Sequence, residues 1–246
     1  MLIFIEITSV RVVLLYPLIT IKPLTMIHNK KVVETLQQQI TDNDLRFYWY
    51  ITLEYYYKNT DLDKVRSDNK RFKYVIRKFF KSDIKFLFFN ERNRKSGKMN
   101  GGYHRHILME SIPLDSWQTR SNQMDRFLLE LDPEILFGIS LGKVVPTCTQ
   151  QKNLLDKVIR GFNKSLPNGK DGVDIRVISE EKGGVSGLCE YNTKDTRDLG
   201  ERIEEVIDWE SSDCLDIDLL ARQEKQSQNS INIFNIQTKM KHLSVK

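Results

Sequence analysis

A chain of 246 residues with 40% apolar side chains can bury one large core, alone or with an extension. Its three cysteines (Cys148, Cys189, Cys214) lie far apart with no C-x-x-C spacing, which argues against a disulfide framework and a zinc ribbon and fits a reducing cytoplasm. The net charge of +5 is modest, but the positives crowd between residues 64 and 105 with few acids among them. Such a run suggests a polyanion, most simply a nucleic acid, set against the ordinary alternative of a solvated helix face.

The first 24 residues are apolar yet include Glu6 and Arg11, and their longest uncharged run, Val12 to Thr20, is too short to span a bilayer. Neither a signal peptide nor a membrane helix is expected. Residues 1–25 read as an extension, either an added edge strand or the product of a start upstream of Met26. Asn29 to Gln39 carries Val32, Val33 and Leu36 at helical spacing. Leu45 to Tyr56 is aromatic and β-branched, and its nearly continuous apolarity predicts a central strand covered on both faces. Asp61 to Lys81 is an amphipathic helix with a stripe from Leu62 to Phe80 and the basic residues opposite. Ile84 to Asn90 is a second strand, the loop from Arg92 to Gly102 follows, and a third strand spans Tyr103 to Glu110.

Helices are predicted over Ser116 to Leu131, closed off by Pro133, and over Thr149 to Asn163. Pro167-Asn168-Gly169 is a turn, Val173 to Ile178 an alternating strand, and Gly183-Gly184 a second turn leading into the segment of Leu188 to Lys194. A helix over Ile203 to Trp209, an acidic patch from Asp208 to Asp218 and a polar tail from Gln223 complete the chain. The order of elements predicts an α+β fold, with helices flanking one central antiparallel sheet and a helical C-terminal extension over 201–246.

Two of the four histidines lie in Tyr103-His104-Arg105-His106-Ile107-Leu108. On a strand, alternate side chains share a face, so His104 and His106 can grip one metal ion, whereas a helix would set them about 200° apart. The plain alternative is a pair of half-buried structural histidines. Further on, Tyr191 and Lys194 fall on one face if their segment is helical. A phenol is a weak nucleophile, with an ordinary pKa near 10. A neighbouring ammonium activates it and can hold a phosphate, and a metal on the same phosphate would neutralise charge. Those groups together suffice for phosphodiester transesterification.

The combination resembles the HUH endonuclease superfamily, and within it the replication initiators of rolling-circle plasmids and viruses. Three landmarks carry the resemblance over roughly residues 45–195: the aromatic strand ending in Ile51-Thr52-Leu53, the strand with His104 and His106, and the Tyr191-Asn192-Thr193-Lys194 segment. It implies a nicking domain over 26–200, with the histidines on a central strand and the tyrosine on a helix beside them. It also implies that Tyr191 attacks single-stranded or hairpin DNA at a replication origin, leaving a 5′-phosphotyrosine link and a free 3′-hydroxyl for a polymerase.

By the same resemblance His104, His106 and Glu91 would hold Mn²⁺ or Mg²⁺, with Glu54 and Glu110 as rival third ligands, and Lys194 would position the phosphate or the phenol. Arg105 departs from the family's usual apolar residue, and on the opposite face it is expected to reach solvent or a phosphate. Arg77, Lys78, Lys81, Arg92, Arg94, Lys95 and Lys98 are the other candidate DNA contacts. No G-x-x-x-x-G-K-[ST] run occurs, so unwinding would fall to a host helicase. The alternatives are a relaxase or single-strand transposase with the same chemistry, a nucleic-acid-binding protein without catalysis, and an inactive remnant of such a gene.

Overall fold

The structure, a computed structural model, describes residues 25–55, 61–92, 102–117, 133–165, 169–194, 202–213 and 215–226. Its elements are α1 (Thr25–Asp42), β1 (Phe47–Tyr55), α2 (Leu62–Phe80), β2 (Phe86–Arg92), β3 (Tyr103–Glu110), α3 (Pro133–Ser140), α4 (Cys148–Ser165), β4 (Gly169–Val177), α5 (Gly184–Asn192) and α6 (Ile203–Val206). The four strands form one antiparallel sheet in the order β2-β3-β1-β4, with helices on both faces. No helix among the described residues is long and apolar enough to cross a membrane.

One face of the sheet is closed by hydrocarbon. Trp49, Ile51 and Leu53 of β1, Phe86 and Phe88 of β2, Ile107 and Met109 of β3, and Val173 and Ile175 of β4 meet the apolar stripes of α2 and α4. The stripe of α2 is Val65, Phe72, Ile76 and Phe80, all fully buried. Each such side chain contributes roughly 1.5–3 kcal/mol when buried, and this face holds the larger of the two apolar clusters. Asp61 starts α2 by accepting bonds from the amides of Asp63 and Lys64, and Lys81 ends it in the left-handed region at φ 50°.

The other face is covered only in part. Val32, Leu36 and Ile40 of α1, Cys189 of α5, and Ile203, Val206, Ile207 and Leu220 pack over Leu87, Phe89 and Leu108. The cover stops short of the opposite end of the sheet, so Tyr50, Thr52 and Glu54 of β1 are half-buried while Trp49, Ile51 and Leu53 are buried. The expectation that β1 is covered on both faces therefore holds for one face and half of the other.

The acidic stretch after α6 straps the edge of the sheet. Ile207 bridges Phe89, the amides of Asp208 and Asp213 donate to the Phe88 and Phe86 carbonyls at 3.1 and 2.8 Å, and Ser212 Oγ accepts from the Phe88 amide at 2.9 Å. This satisfies groups that an edge strand would otherwise leave open. The same stretch lies against the basic face of α2. Asp213 pairs with Lys73 at 2.7 Å and with Arg77 at 2.9 Å, Glu210 pairs with Lys70, and Arg66 donates to the Glu204 carbonyl at 2.6 Å. Those cations were expected to face a polyanion or water, and their partners are in the chain itself. Described residues of 203–213 and 215–226 thus contribute to the core and to the sheet edge.

Local differences have local causes. Pro133 opens α3 rather than merely ending a helix, at the first helical position, where its missing N–H costs nothing. β4 starts at Gly169 because backbone pairing, Tyr55 to Gly169, extends it through a polar segment without apolar alternation. The helix expected to Trp209 stops at Val206, where the chain turns to pair with β2, and a further helix at 217–226 starts with Asp216 Oδ1 accepting from the Leu219 amide. Of the helix expected over Ser116 to Leu131, residues 114–117 are helical and the rest lies outside the described residues, as do residues 1–24 and the tail beyond 226.

Candidate metal centre and the facing tyrosine

Antiparallel pairing puts Glu91 of β2 directly opposite His104 of β3, and Phe89 opposite His106. Because side chains directly across a sheet share a face, the carboxylate and both imidazoles project from the same half-covered side. Glu91 Oε2 lies 2.9 Å from His104 Nε2 and 2.8 Å from His106 Nε2. The imidazole rings stand 4.6 Å apart, nearly perpendicular at 82°. One ligand atom from each of the three residues falls within 4.8 Å of the others, a group able to hold a metal ion. Of the rival acids, Glu110 accepts from the Lys85 and Arg46 amides at the far end of β3. Glu54 sits across from His104 on β1, beside Gly172, where its carboxylate fills the space a β-carbon would need.

The second half of the site comes from α5. Gly183, at φ 89°, and Gly184, at φ 56°, take left-handed backbone to turn the chain into the helix, which glycine does without steric cost. The helix lays Tyr191 against His106, ring centres 6.1 Å apart, and leaves the tyrosine 51% exposed. Lys194, one turn on, places its ammonium 3.6 Å from the centre of the Tyr191 ring and 2.6 Å from Glu91 Oε1. Glu91 therefore presents one oxygen to the imidazoles and the other to the lysine.

The electrostatics follow from these contacts. Burial alone would push the Glu91 carboxyl up, but His104, His106 and Lys194 outweigh it and hold it far below the usual carboxylate range. Burial pulls Lys194 down, and Glu91 and Tyr191 reverse this, so its ammonium is held above its ordinary value. His106 shifts down because burial disfavours its charged form more than Glu91 favours it. A neutral imidazole next to an ionised carboxylate is what a cation requires of its ligands. Behind His106, Tyr50 and Thr52 set their oxygens 2.7 and 3.1 Å from Nδ1. His104 Nδ1 is buried with no hydrogen-bond partner among the described residues.

The structure thus brings together Glu91, His104, His106, Tyr191 and Lys194. Among the described residues, the candidate DNA contacts Arg105, Arg77, Lys78 and Lys81 lie on or beside α2 and the opposite face of the sheet. Arg105 is a correction: rather than reaching solvent or a phosphate, it is fully buried on the opposite face, where it donates to Asn163 Oδ1 at 3.1 Å and to Asn69 Oδ1 at 3.5 Å. The cover of α2 and α4, not a thin surface, lies over it. Arg77, partly exposed on α2, has its guanidinium against Asp213 and the Ile84 carbonyl.

Lys78 lies over the Tyr74 ring at 5.5 Å, and Lys81 is exposed at the end of α2, the helix that covers the face away from the histidines. Arg92 donates to the Tyr103 hydroxyl at 2.8 Å, with its guanidinium 5.0 Å from that ring centre. Arg94, Lys95 and Lys98 lie outside the described residues. Tyr50 and Asn192 are further parts of the site, and period-two alternation sets Tyr50 on the same face as Thr52. Searches against family models, curated proteins and solved structures find no match to this chain.

Proposed function

We propose that the chain is a metal-dependent enzyme that nicks and joins single-stranded DNA, acting as an initiator of rolling-circle replication. The observation that supports this is the meeting of two separate units: a two-imidazole, one-carboxylate group on β2 and β3, and the Tyr191–Lys194 pair on α5 with Lys194 touching both Tyr191 and Glu91. Glu91, His104 and His106 would hold the ion, which when bound supplies Lewis-acid polarisation of a phosphate. A set with two imidazoles suits manganese better than magnesium, which prefers oxygen and water.

Tyr191 acts as the nucleophile. Its hydroxyl gives up its proton as the oxygen forms a bond to phosphorus, the bond from phosphorus to the 3′ oxygen breaks, and the departing oxygen takes up a proton to become the 3′-hydroxyl. The link left behind is a 5′-phosphotyrosine, and attack on it by a 3′-hydroxyl rejoins the strand. Lys194 neutralises the phosphate beside the phenol, and Glu91 holds that ammonium in place. The partners implied are an origin in single-stranded or hairpin form, with a host helicase and polymerase to use the freed end.

The test mixes the protein with Mn²⁺ and end-labelled single-stranded oligonucleotides carrying candidate origin hairpins, then resolves the products on a denaturing gel. A slower-migrating covalent adduct is expected, lost in Tyr191→Phe and in His104→Ala. No adduct with any such oligonucleotide, or one that survives Tyr191→Phe, rejects the proposal.

A further inference from the structure

The two edges of the sheet end differently. The outer side of β2 is clasped by residues 207–213, whereas among the described residues no strand pairs along the outer side of β4. The Ile178 amide donates to the Tyr48 carbonyl at 2.9 Å, and β4 pairs with β1 without a break from Val177 back to Val173. Backbone groups alternate in direction along a strand, so Arg176 and Asp174 also turn their amides and carbonyls toward β1. Val173, Ile175 and Val177 turn theirs outward. Arg160 donates to the Val173 carbonyl at 3.2 Å, and that oxygen keeps a second lone pair. A row of outward backbone groups is a template for another strand. The segment Val173-Asp174-Ile175-Arg176-Val177 carries no proline, and its β-branched residues suit it to pairing.

The side chains select the strand that fits. Asp174 and Arg176 share the face of Thr52 and Tyr50, while Val173 and Ile175 belong to the core on the other face. Reversing the segment about Ile175 exchanges Asp174 with Arg176 and Val173 with Val177. A second copy laid antiparallel along this edge therefore sets Asp174 against the partner's Arg176, and Arg176 against the partner's Asp174. On the other face Val173 meets the partner's Val177, which covers a side chain 38% exposed in one copy. The backbone falls in phase, because outward groups meet outward groups. Arg176 Nε and Asp174 Oδ2 lie 2.7 Å apart, with side chains 70% and 47% exposed, so both can reach across. A slip of two residues either way, the next register the backbone allows, sets Asp174 against the partner's Asp174 or Arg176 against the partner's Arg176. Like charges directly opposite are unfavourable, so charge specifies the register.

We propose that the outer edge of β4 is a homodimer interface, where two copies pair antiparallel about a two-fold axis at Ile175 and join their sheets into one. The interface is self-complementary and closes at two copies. Because the axis runs through the sheet, the Glu91, His104 and His106 clusters of both copies open on the same face. The inference stands on strand pairing and charge, and does not depend on what those clusters bind.

Sedimentation velocity over a range of protein concentrations tests it with two charge reversals. The wild-type chain should show a concentration-dependent dimer. Asp174→Arg and Arg176→Asp each set like charges opposite one another at both contacts, and each alone should weaken the dimer about tenfold or more. An equimolar mixture of the two variants sets two arginines on one chain against two aspartates on the other. It should dimerise again, and that recovery also shows that both variants fold. Hydrogen exchange read by mass spectrometry gives a second measure: the segment from Val173 to Val177 should exchange more slowly in the concentrated wild type than in either variant alone. A wild type that stays monomeric at every concentration, a dimer that both variants keep, a mixture no more dimeric than its parts, or equal exchange in dimer and monomer overturns the proposal.

Discussion

On one face of β3, Arg105 ends in a closed box of amides. On the other, His104 and His106 end at an opening beside a half-exposed tyrosine. The two clusters are built from similar materials and are separated by one strand. Arg105 meets Asn69 and Asn163, and Asn69 in turn donates to Asn90 Oδ1 at 3.2 Å and to Asp208 Oδ2 at 2.9 Å. All five side chains are buried, and each helps satisfy another. The cluster around Glu91 is not closed in the same way, because Tyr191 and Lys194 leave it open to water on one side. Buried charge in a closed, hydrogen-bonded box contributes to the integrity of the fold. The same chemistry left with an entrance can exchange partners, which a binding or catalytic site needs.

The comparison is broken most directly by Arg105→Ala. It should leave buried amide oxygens without donors, at about 1–3 kcal/mol for each unsatisfied group. Thermal unfolding should fall by several degrees, on the order of 2–4 °C per kcal/mol for a chain of this size. Mn²⁺ affinity of the folded fraction should be unchanged. A variant that melts like the wild type would show that the box is not structural.

His104→Ala should do the reverse, weakening Mn²⁺ binding by about 100-fold or more, beyond the range for an outer partner, with little change in the metal-free melting temperature. Equal Mn²⁺ titration curves for variant and wild type would remove His104 from the ligands.

Acid sharpens the contrast. Below pH 6.5 the unfolded chain gains a proton at His106 that the folded chain resists, because its folded value is depressed. Stability from this group is therefore present above 6.5 and lost as pH falls through the folded value. Glu91 acts in the same sense further down, since its depressed folded value keeps its contribution until strongly acid pH. Lys194 runs the other way: its raised value keeps its contribution below the ordinary lysine range and loses it as pH rises past the folded value. Denaturant midpoints read from pH 4 to 8 should fall toward acid in the wild type, and less steeply in His106→Ala.

Asp213→Asn is the smallest change expected. It weakens the pairs with Lys73 and Arg77 by about 1 kcal/mol or less, an effect that added salt should shrink. A loss that salt leaves untouched would assign Asp213 a backbone role alone, through its bond from the Phe86 amide.

Much of the site was legible in the sequence because it depends on local periodicity. One residue between His104 and His106 fixes their common face once the segment is a strand, and one helical turn separates Tyr191 from Lys194. Glu91 was less legible, since its place opposite His104 depends on the register across the loop that follows Arg92. The burial of Arg105 was misread for a different reason. Alternation tells which face a residue takes, but not that Asn69 and Asn163, from two distant helices, meet there. The charge pattern of α2 was incomplete for a similar reason: Arg66, Lys70, Lys73 and Arg77 line one helical face, and only tertiary packing brings Glu204, Glu210 and Asp213 to it. The contact of Tyr50 with His106 was not legible, because it depends on the pairing of β1 with β3 rather than on anything local to the aromatic run.

The strap along β2 has a consequence for where damage to this protein would be felt. Glu91 is the penultimate residue of the outermost strand, and that strand is clasped on its outer side by residues drawn from more than a hundred positions later. Cutting the chain after Val206 would spare every candidate ligand and the tyrosine, yet it would unfasten the rail on which one of those ligands rides. Loss of cation affinity in such a shortened protein would then signal a slackened scaffold rather than a missing chemical group.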